Sequence, residues 1–319
     1  MKNIATQTIK KKSMFRGREK DLIFYSIMMI WPILHFVVFY ICVNSNSFLM
    51  AFQRLTMRGE ISEWTFDVMK EALARLLGQD GTTTFINAAK RSFQAYGIGL
   101  FIGTPLGLFF SYYIYKKLPG SGLFRVLLFM PSIIPGIVMV AIYKYFIQDA
   151  VPVVWEGLFG IKMPYGWLSG RSPADVKFAT IMFFNTWAGF GGGVLMYSNA
   201  MSGTSQEVVE SAHLDGAVGI REFIYITIPA IYPTLSTFLI TGVAGIFTNQ
   251  GGLFSFYGTE ADVALRTYGY EIYIETLNAG SNMAQYPLLS AMGMWMTLVA
   301  VPTTLLVRWA LEKFGPSED

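Results

Sequence analysis

Residues 202–229 read SGTSQEVVESAHLDGAVGIREFIYITIP, a polar stretch set between two long apolar ones. It carries Glu207, Glu210, His213, Asp215, Arg221 and Glu222. Thr204-x-x-Glu207 has the form of a capping box, in which a hydroxyl and a carboxylate satisfy free N–H groups at a helix start. Val208, Val209 and Ala212 give that helix an apolar side. Asp215-Gly216 interrupts it: glycine relaxes the backbone constraint, and aspartate suits the cap of a second helix through Ile220, Phe223 and Ile224. Pro229 and Pro233 fall in the first turns of the next apolar helix, where a missing N–H is tolerated. The pattern predicts two short helices with a kink between them, a compact knob joining two apolar segments.

Outward from the knob, the chain divides into charge-free windows at 22–53, 92–115, 126–143, 178–206, 223–259 and 276–307. A membrane helix needs about 20 mainly apolar residues, because its backbone polar groups have no water to bond. The windows place helices at about 22–43, 92–115, 123–147, 178–200, 231–254 and 286–310. The sequence thus predicts an all-α integral membrane protein with six transmembrane helices. Composition agrees: 53% of the 319 residues are hydrophobic and 14% charged, against about 25% charged in soluble domains, and mean hydropathy is +0.43. The net charge of +3 says little about partners.

The N-terminus is basic, with Lys2, Lys10, Lys11, Lys12, Arg16, Arg18 and Lys20, and turns apolar at Leu22. The run to Val43 is too long for a signal-peptide core, so it reads as a retained first helix with a cytoplasmic N-terminus. Six crossings return the C-terminus to the same side and put the 201–230 loop there too. Thirteen of the 24 Lys and Arg fall on that side, chiefly in the N-terminal tail and the turn at 116–123. The expected layout is a cytoplasmic tail at 1–21, a first helix at 22–43, an outer segment at 44–91, a five-helix core at 92–310 and a cytoplasmic tail at 311–319. Within the outer segment, 63–77 reads as an amphipathic helix. Lys90 and Arg91 are expected to snorkel or to pair with it. The outer segments at 148–177 and 255–285, with Trp155, Pro164, Trp167, Tyr257, Tyr270 and Glu271, offer surfaces for a soluble partner.

Chemistry is constrained as much by what is missing. The one cysteine, Cys42, rules out an intramolecular disulfide and a cysteine-cluster metal site. Only His35 and His213 are present, with no metal-ligand spacing and no nucleophile–histidine pairing, so neither a catalytic nor a metal site is expected. No phosphate-binding glycine loop occurs, and the dipeptide Gly-Lys is absent; any ATP drive must come from another chain. An ion-coupled secondary transporter is the alternative, but it calls for charges in the core that the windows lack. Met130-Pro131-Ser132-Ile133-Ile134-Pro135-Gly136, Asn185-Thr186-Trp187-Ala188-Gly189-Phe190-Gly191-Gly192-Gly193 and Thr248-Asn249-Gln250-Gly251-Gly252 interrupt three helices with proline, glycine and amides. Polar groups at that depth must face other helices or a wet cavity. Glycine and serine equally suit close helix packing, while amides and ring faces suit a sugar.

Glu210-Ser211-Ala212, three residues, Gly216, nine residues, then Ile226-Thr227-Ile228-Pro229 resembles the EAA loop of ABC importer membrane subunits, with Ser211 and Ile228 the two departures. From about residue 85 the chain is similar to the sugar-uptake branch of these permeases, and its Asn-Thr-Trp-x-Gly-Phe run matches permeases of the maltose-importer type. The ending, Tyr286-Pro287-Leu288-Leu289-Ser290-Ala291 and Glu312-Lys313-Phe314-Gly315-Pro316, resembles polysaccharide and lipoprotein-type permeases more loosely. The resemblance implies a type I ABC importer permease core in a bacterial inner membrane. It also implies a second permease subunit in a heterodimer, two ATPase subunits holding ATP and Mg, an extracytoplasmic solute-binding protein and an oligosaccharide substrate, with no nucleic acid. Its coupling residues become Glu210, Ser211, Ala212, Asp215, Gly216, Ile226 and Pro229. Its sugar-lining positions become Ser132, Gly136, Asn185, Gly189, Gly192, Gly245, Ile246 and Asn249. Of these, Asn185, Gly189 and Asn249 keep the family residue; several others lose bulk, which implies room for a longer or bulkier sugar than maltose.

Overall fold

The structure, a computed structural model, describes residues 13–79, 81, 83–162 and 166–316, with side chains from residue 21. The N-terminal basic residues Lys2, Lys10, Lys11 and Lys12, together with Pro164, lie outside the described residues, as do 317–319.

The first apolar window forms helix α1 (Asp21–Met50), widened by a π turn at Phe36–Cys42. Side chains 21–49 are all exposed within the chain, so this helix presents its full apolar circumference outward. A short antiparallel hairpin follows, β1 (Gln53–Leu55) and β2 (Ile61–Trp64). Helix α2 (Asp67–Leu76) starts later than the amphipathic pattern predicts, because Glu63 and Trp64 pair with Arg54 and Gln53 in the hairpin. Its start is fixed by Thr65, whose Oγ1 accepts from the Asp67 N–H at 3.1 Å. Val68 and Ala72 face inward, packing with Ala51, Phe85 and Met292.

Helix α3 (Thr84–Tyr115) extends N-terminally past the charge-free window, with Phe85, Ala88 and Ser92 buried along it and a π turn at Gly99–Gly103. Arg91 therefore lies inside a helix. It pairs with Asp175 at 2.7 Å, donates to the Ala264 carbonyl at 2.7 Å and sits 4.6 Å over the Phe178 ring, rather than pairing with α2.

The predicted single helix at 123–147 is two: α4 (Ser121–Ile133) and α5 (Gly136–Phe159). Pro135 forces its predecessor out of the helical region, and Ile134 is extended at φ −79°, ψ 137°. Because α5 continues past 147, Trp155 is on a helix rather than in a connecting loop. Helix α6 (Ala174–Ser202) packs along α3 and α4. Ser111 Oγ of α3 donates to the Val194 carbonyl at 3.2 Å, and Gly191 leaves only enough room for Ser132 and the α4 backbone.

The knob contributes α7 (Gln206–Leu214) and α8 (Ile220–Ala230), and α8 meets α9 (Tyr232–Gly245) at a bend of 72°. The fifth apolar segment stops being helical at Gly245, short of the predicted 254; Gly251 and Gly252 take φ +61° and +71° before the short α10 (Leu253–Tyr257). Helices α11 (Tyr268–Ala279) and α12 (Tyr286–Phe314) complete the chain, and α12 packs on α2 and α9. Among the described residues five helices are long and apolar enough to cross a membrane, and the number is six when the bent α8–α9 pair is counted as one span. The protein is thus an all-α membrane bundle carrying one small hairpin.

One cluster of rings, Tyr143, Phe184 and Phe256, closes the bundle end opposite the knob, with Tyr143–Phe184 centroids 4.9 Å apart. Tyr270 and Glu271, expected on an outer surface, are buried; Arg266 pairs with Glu271 at 3.1 Å. At the knob end, Leu108, Tyr197, Met201, Ile231 and Leu235 pack together.

Gly269 of α11 lies directly against the backbone of Thr248 and Asn249. Gly269→Ala would push α11 off the unwound segment, an overpacking cost of about 1–3 kcal/mol. The unfolding midpoint of the detergent-solubilised chain should fall by several degrees, whereas Gly122→Ala on α4, with open space around it, should leave it unchanged.

Candidate functional site

Between the two packed ends lies a cavity of about 850 Å³ walled by α3, α6, α9 and the unwound stretch after it. Among the described residues no Asp, Glu, Lys, Arg or His lines it; Tyr96, Thr104, Asn185, Thr241, Asn249 and Thr267 are among its polar groups. Of the sugar-lining positions expected from sequence, Asn185, Gly189, Gly245, Ile246 and Asn249 come together here. Ser132, Gly136 and Gly192 do not line this cavity and are exposed on the bundle surface.

The unwound stretch leaves backbone groups that a continuous helix would pair, and side chains take over that task. Asn185 Nδ2 donates to the Gly251 carbonyl at 2.8 Å, and the Gly251 N–H donates to Asn249 Oδ1 at 2.8 Å. Thr267 Oγ1 donates to the Asn249 carbonyl at 2.9 Å. The two asparagines therefore hold the cavity wall in shape with half of each amide. Thr267 belongs to a stretch that sequence patterning assigned to an outer loop, so nothing in the sequence marked it as a cavity residue.

The knob is built differently from its sequence pattern. Helix α7 starts at Gln206 after Ser205, and Thr204 Oγ1 is buried without a hydrogen-bond partner among the described residues, so the capping box does not form. Asp215 ends α7 rather than capping α8, whose preceding residue is Gly219. Gly216 does make the kink, at φ +80°. Val209 and Ala212 face inward; Glu210, Ser211, Asp215 and Gly216 are exposed, and Ile226 and Pro229 are half-buried. Glu210 accepts from Gln206 Nε2 at 2.9 Å.

Glu222, which no sequence pattern singled out, holds the knob down. It is 1% exposed. Its carboxylate pairs with the Lys116 ammonium at the end of α3 and with His213 Nε2 of α7 at 2.9 Å. His213 is thus tied into the knob rather than merely solvated. Beside them Tyr112 donates its hydroxyl to the Gly219 carbonyl at 3.0 Å, and its ring meets Phe223 at 4.7 Å between centroids. Burial by itself would raise the Glu222 carboxyl; the bonds and charges of His213 and Lys116 override it and hold the group below its ordinary 4.5. Outward, the knob leaves Leu214, Val218, Ile220 and Tyr225 exposed, Leu214 at 90%.

The chain thus folds as a multi-pass helical bundle with an uncharged cavity and a kinked loop pinned at one end. More narrowly, this is the permease fold of ABC importers. A chain in the crystal structure of a bacterial ABC transporter involved in the import of the acidic polysaccharide alginate superposes with a TM-score of 0.74 over 93% of this chain and 97% of that one, at 19% identity. No family model matches. In sequence the chain is related to ABC transporter permeases. It is 31% identical over 172 residues to a probable ABC transporter permease protein of Mycoplasma pneumoniae (MG188 homolog), covering 52% of this chain and 51% of that protein. It is 27% identical over 138 residues to the maltose/maltodextrin transport system permease protein MalF of Vibrio vulnificus, covering 42% of this chain and 25% of that protein. The chain therefore spans about half, or about a quarter, of the length of these curated relatives.

Because the folded-state value of Glu222 is depressed, its pairing contributes in full above the unfolded-state value near 4.5 and is lost as pH falls through the lower folded value. Amide exchange across residues 206–230 should stay protected from pH 7 down to about 5 and rise below about 4, and Glu222→Leu should remove the acid step. Exchange that is indifferent to acid would mean the carboxylate does not hold the knob.

Proposed function

We propose that this chain is one of two membrane-spanning subunits of an ATP-driven importer that takes up an oligosaccharide. The observation that carries the reading is the knob: a kinked helical pair anchored at its base by Glu222 and displaying Glu210, Leu214, Val218 and Ile220 outward, at the bundle end where α3 and α12 also finish. A loop that is firm below and apolar above suits the receipt of force from a separate protein. ATPase subunits, two of them carrying ATP and Mg, are the source of that force. The chain itself is a transport subunit without an ATP site.

In this reading the knob lies on the cytoplasmic side of a bacterial inner membrane, with both termini there. A solute-binding protein delivers cargo at the opposite face. Closing of the ATPase pair displaces the knobs, and the bundles move between inward-open and outward-open states; differential binding of the ATPases to those states supplies the bias. Glu210, Ser211 and Asp215 form the contacting face, Ala212 packs beneath it, Gly216 forms the kink, and Ile226 and Pro229 the join to α9. A second, different permease subunit faces this one across the path, and the exposed Ser132, Gly136 and Gly192 are placed to meet it or cargo between the two.

The cavity supports a neutral, hydroxyl-rich cargo. Amides from Asn185 and Asn249 and hydroxyls from Thr and Tyr bond sugar hydroxyls, Tyr96 and Tyr197 cover C–H faces, and no buried charge is left to be neutralised. The uncharged wall also speaks against ion-coupled transport.

Gly216→Val places a β-branched residue at φ +80°, a strain of about 1–2 kcal/mol. The variant should insert normally, while oligosaccharide uptake by cells carrying it falls at least about tenfold relative to ATP hydrolysed. Gentle solubilisation of the tagged wild-type chain should bring down an ATPase. Normal uptake by the variant, or the lack of any ATPase, would defeat the proposal.

A further inference from the structure

The knob's charges other than Glu222 face solvent, so the burial of this one carboxylate needs a reason. A buried charge persists only where partners compensate its desolvation, and here the partners come from two different elements. His213 belongs to α7, the first helix of the knob; Lys116 terminates α3, a helix that is remote from the knob in sequence. One turn back along α3, Tyr112 bonds the Gly219 carbonyl and packs on Phe223. The backbone itself joins the knob only to α6 and α9. The Glu222 cluster adds α3, and α3 supplies Tyr96, Gly99, Gly103 and Thr104 to the cavity wall.

We propose that Glu222 is a positioning residue that makes the knob and α3 one rigid lever, so that displacement of the knob reaches the cavity through the His213–Glu222–Lys116 cluster. The inference rests on the coupling role proposed above. With backbone links alone, force from the knob enters α6 and α9 and reaches the α3 wall only indirectly, through the packing of α6 on α3. With the ionic pin, the third wall moves too, and the cavity changes shape as a unit.

The test needs no knowledge of the cargo. The full chain, with Cys42→Ser removing its native thiol and Tyr96→Cys placing one on the α3 wall, is purified with its partner subunits. Its maleimide labelling rate is then measured with and without MgATP. MgATP should change the rate in the parent at least about fivefold. Adding Glu222→Gln should reduce that response to less than about twofold with the ATPases still bound, and exchanging the charges by Lys116→Glu with Glu222→Lys should restore it. A merely structural role predicts no such recovery of the nucleotide response.

A full MgATP response in the Glu222→Gln chain overturns the proposal. So does a charge-exchanged chain that assembles without regaining the response. If Glu222→Gln fails to accumulate, the exchanged pair decides alone: recovery supports the pin, and absence of recovery defeats it. Gly216→Val is run alongside on the same background. If it responds like the parent, the coupling role itself fails and the pin with it; if it is silenced while Glu222→Gln is not, only the pin falls.

Discussion

The structure depends on a rule of apolar solvents: each backbone N–H and C=O must find a partner inside the protein. Long helices satisfy it by themselves, and they account for most of this chain. The places where the helices stop are therefore the informative ones. At Ile134 and Pro135 the break needs no elaborate repair, since proline has no N–H to lose and the next helix begins at once. Past Gly245 the interruption is longer, and Asn185, Asn249 and Thr267 are recruited to bond the freed backbone. The cavity exists because that repair comes from neighbouring side chains instead of from a continued helix, which would have filled the space.

A second constraint acts at the knob end. Polar helices that leave a membrane bundle have little apolar surface with which to hold a fixed attitude. Val209 and Ala212 provide some, and the buried carboxylate of Glu222 provides direction, because an ion pair with Lys116 and a hydrogen bond with His213 together fix an orientation that apolar contact leaves loose. Breaking such a pair by deleting one partner costs about 3–5 kcal/mol, more than a surface pair would. The proposed coupling depends on this stiffness, since a slack joint would absorb the displacement before it reached the cavity.

Much of the architecture could be read in the residues. Charge-free windows located the apolar segments, Asp215-Gly216 located the kink, and the interrupting residues of the fourth and fifth segments together with the family resemblance pointed to Asn185, Gly189, Gly245, Ile246 and Asn249, which share one cavity. What escaped was pairing over distance. Lys116 and Glu222 each look like ordinary loop charges, and Thr267 like an outer-loop hydroxyl; only the fold brings them to their partners. Local rules also failed where tertiary demands outweighed them. Thr204-x-x-Glu207 has the letters of a cap, yet the helix starts two residues after that threonine, and its hydroxyl points into the protein instead. Helix α5 runs beyond its charge-free window because Lys144 is accommodated sideways, donating to the Phe256 carbonyl at 2.8 Å, so a charge there does not end the helix.

Helix α1 carries a different lesson. Among the described residues the side chains 21–49 are all exposed, and the helix meets the rest of the chain at its 43–50 end, against α12 and β1, so beyond that end intrachain packing adds no constraint on its rotation or inclination. Those degrees of freedom are settled by whatever surrounds the protein, lipid or a neighbouring subunit. The chain by itself is accordingly an unfinished solid, a well-packed body with a long apolar spar whose bearing is set by its surroundings.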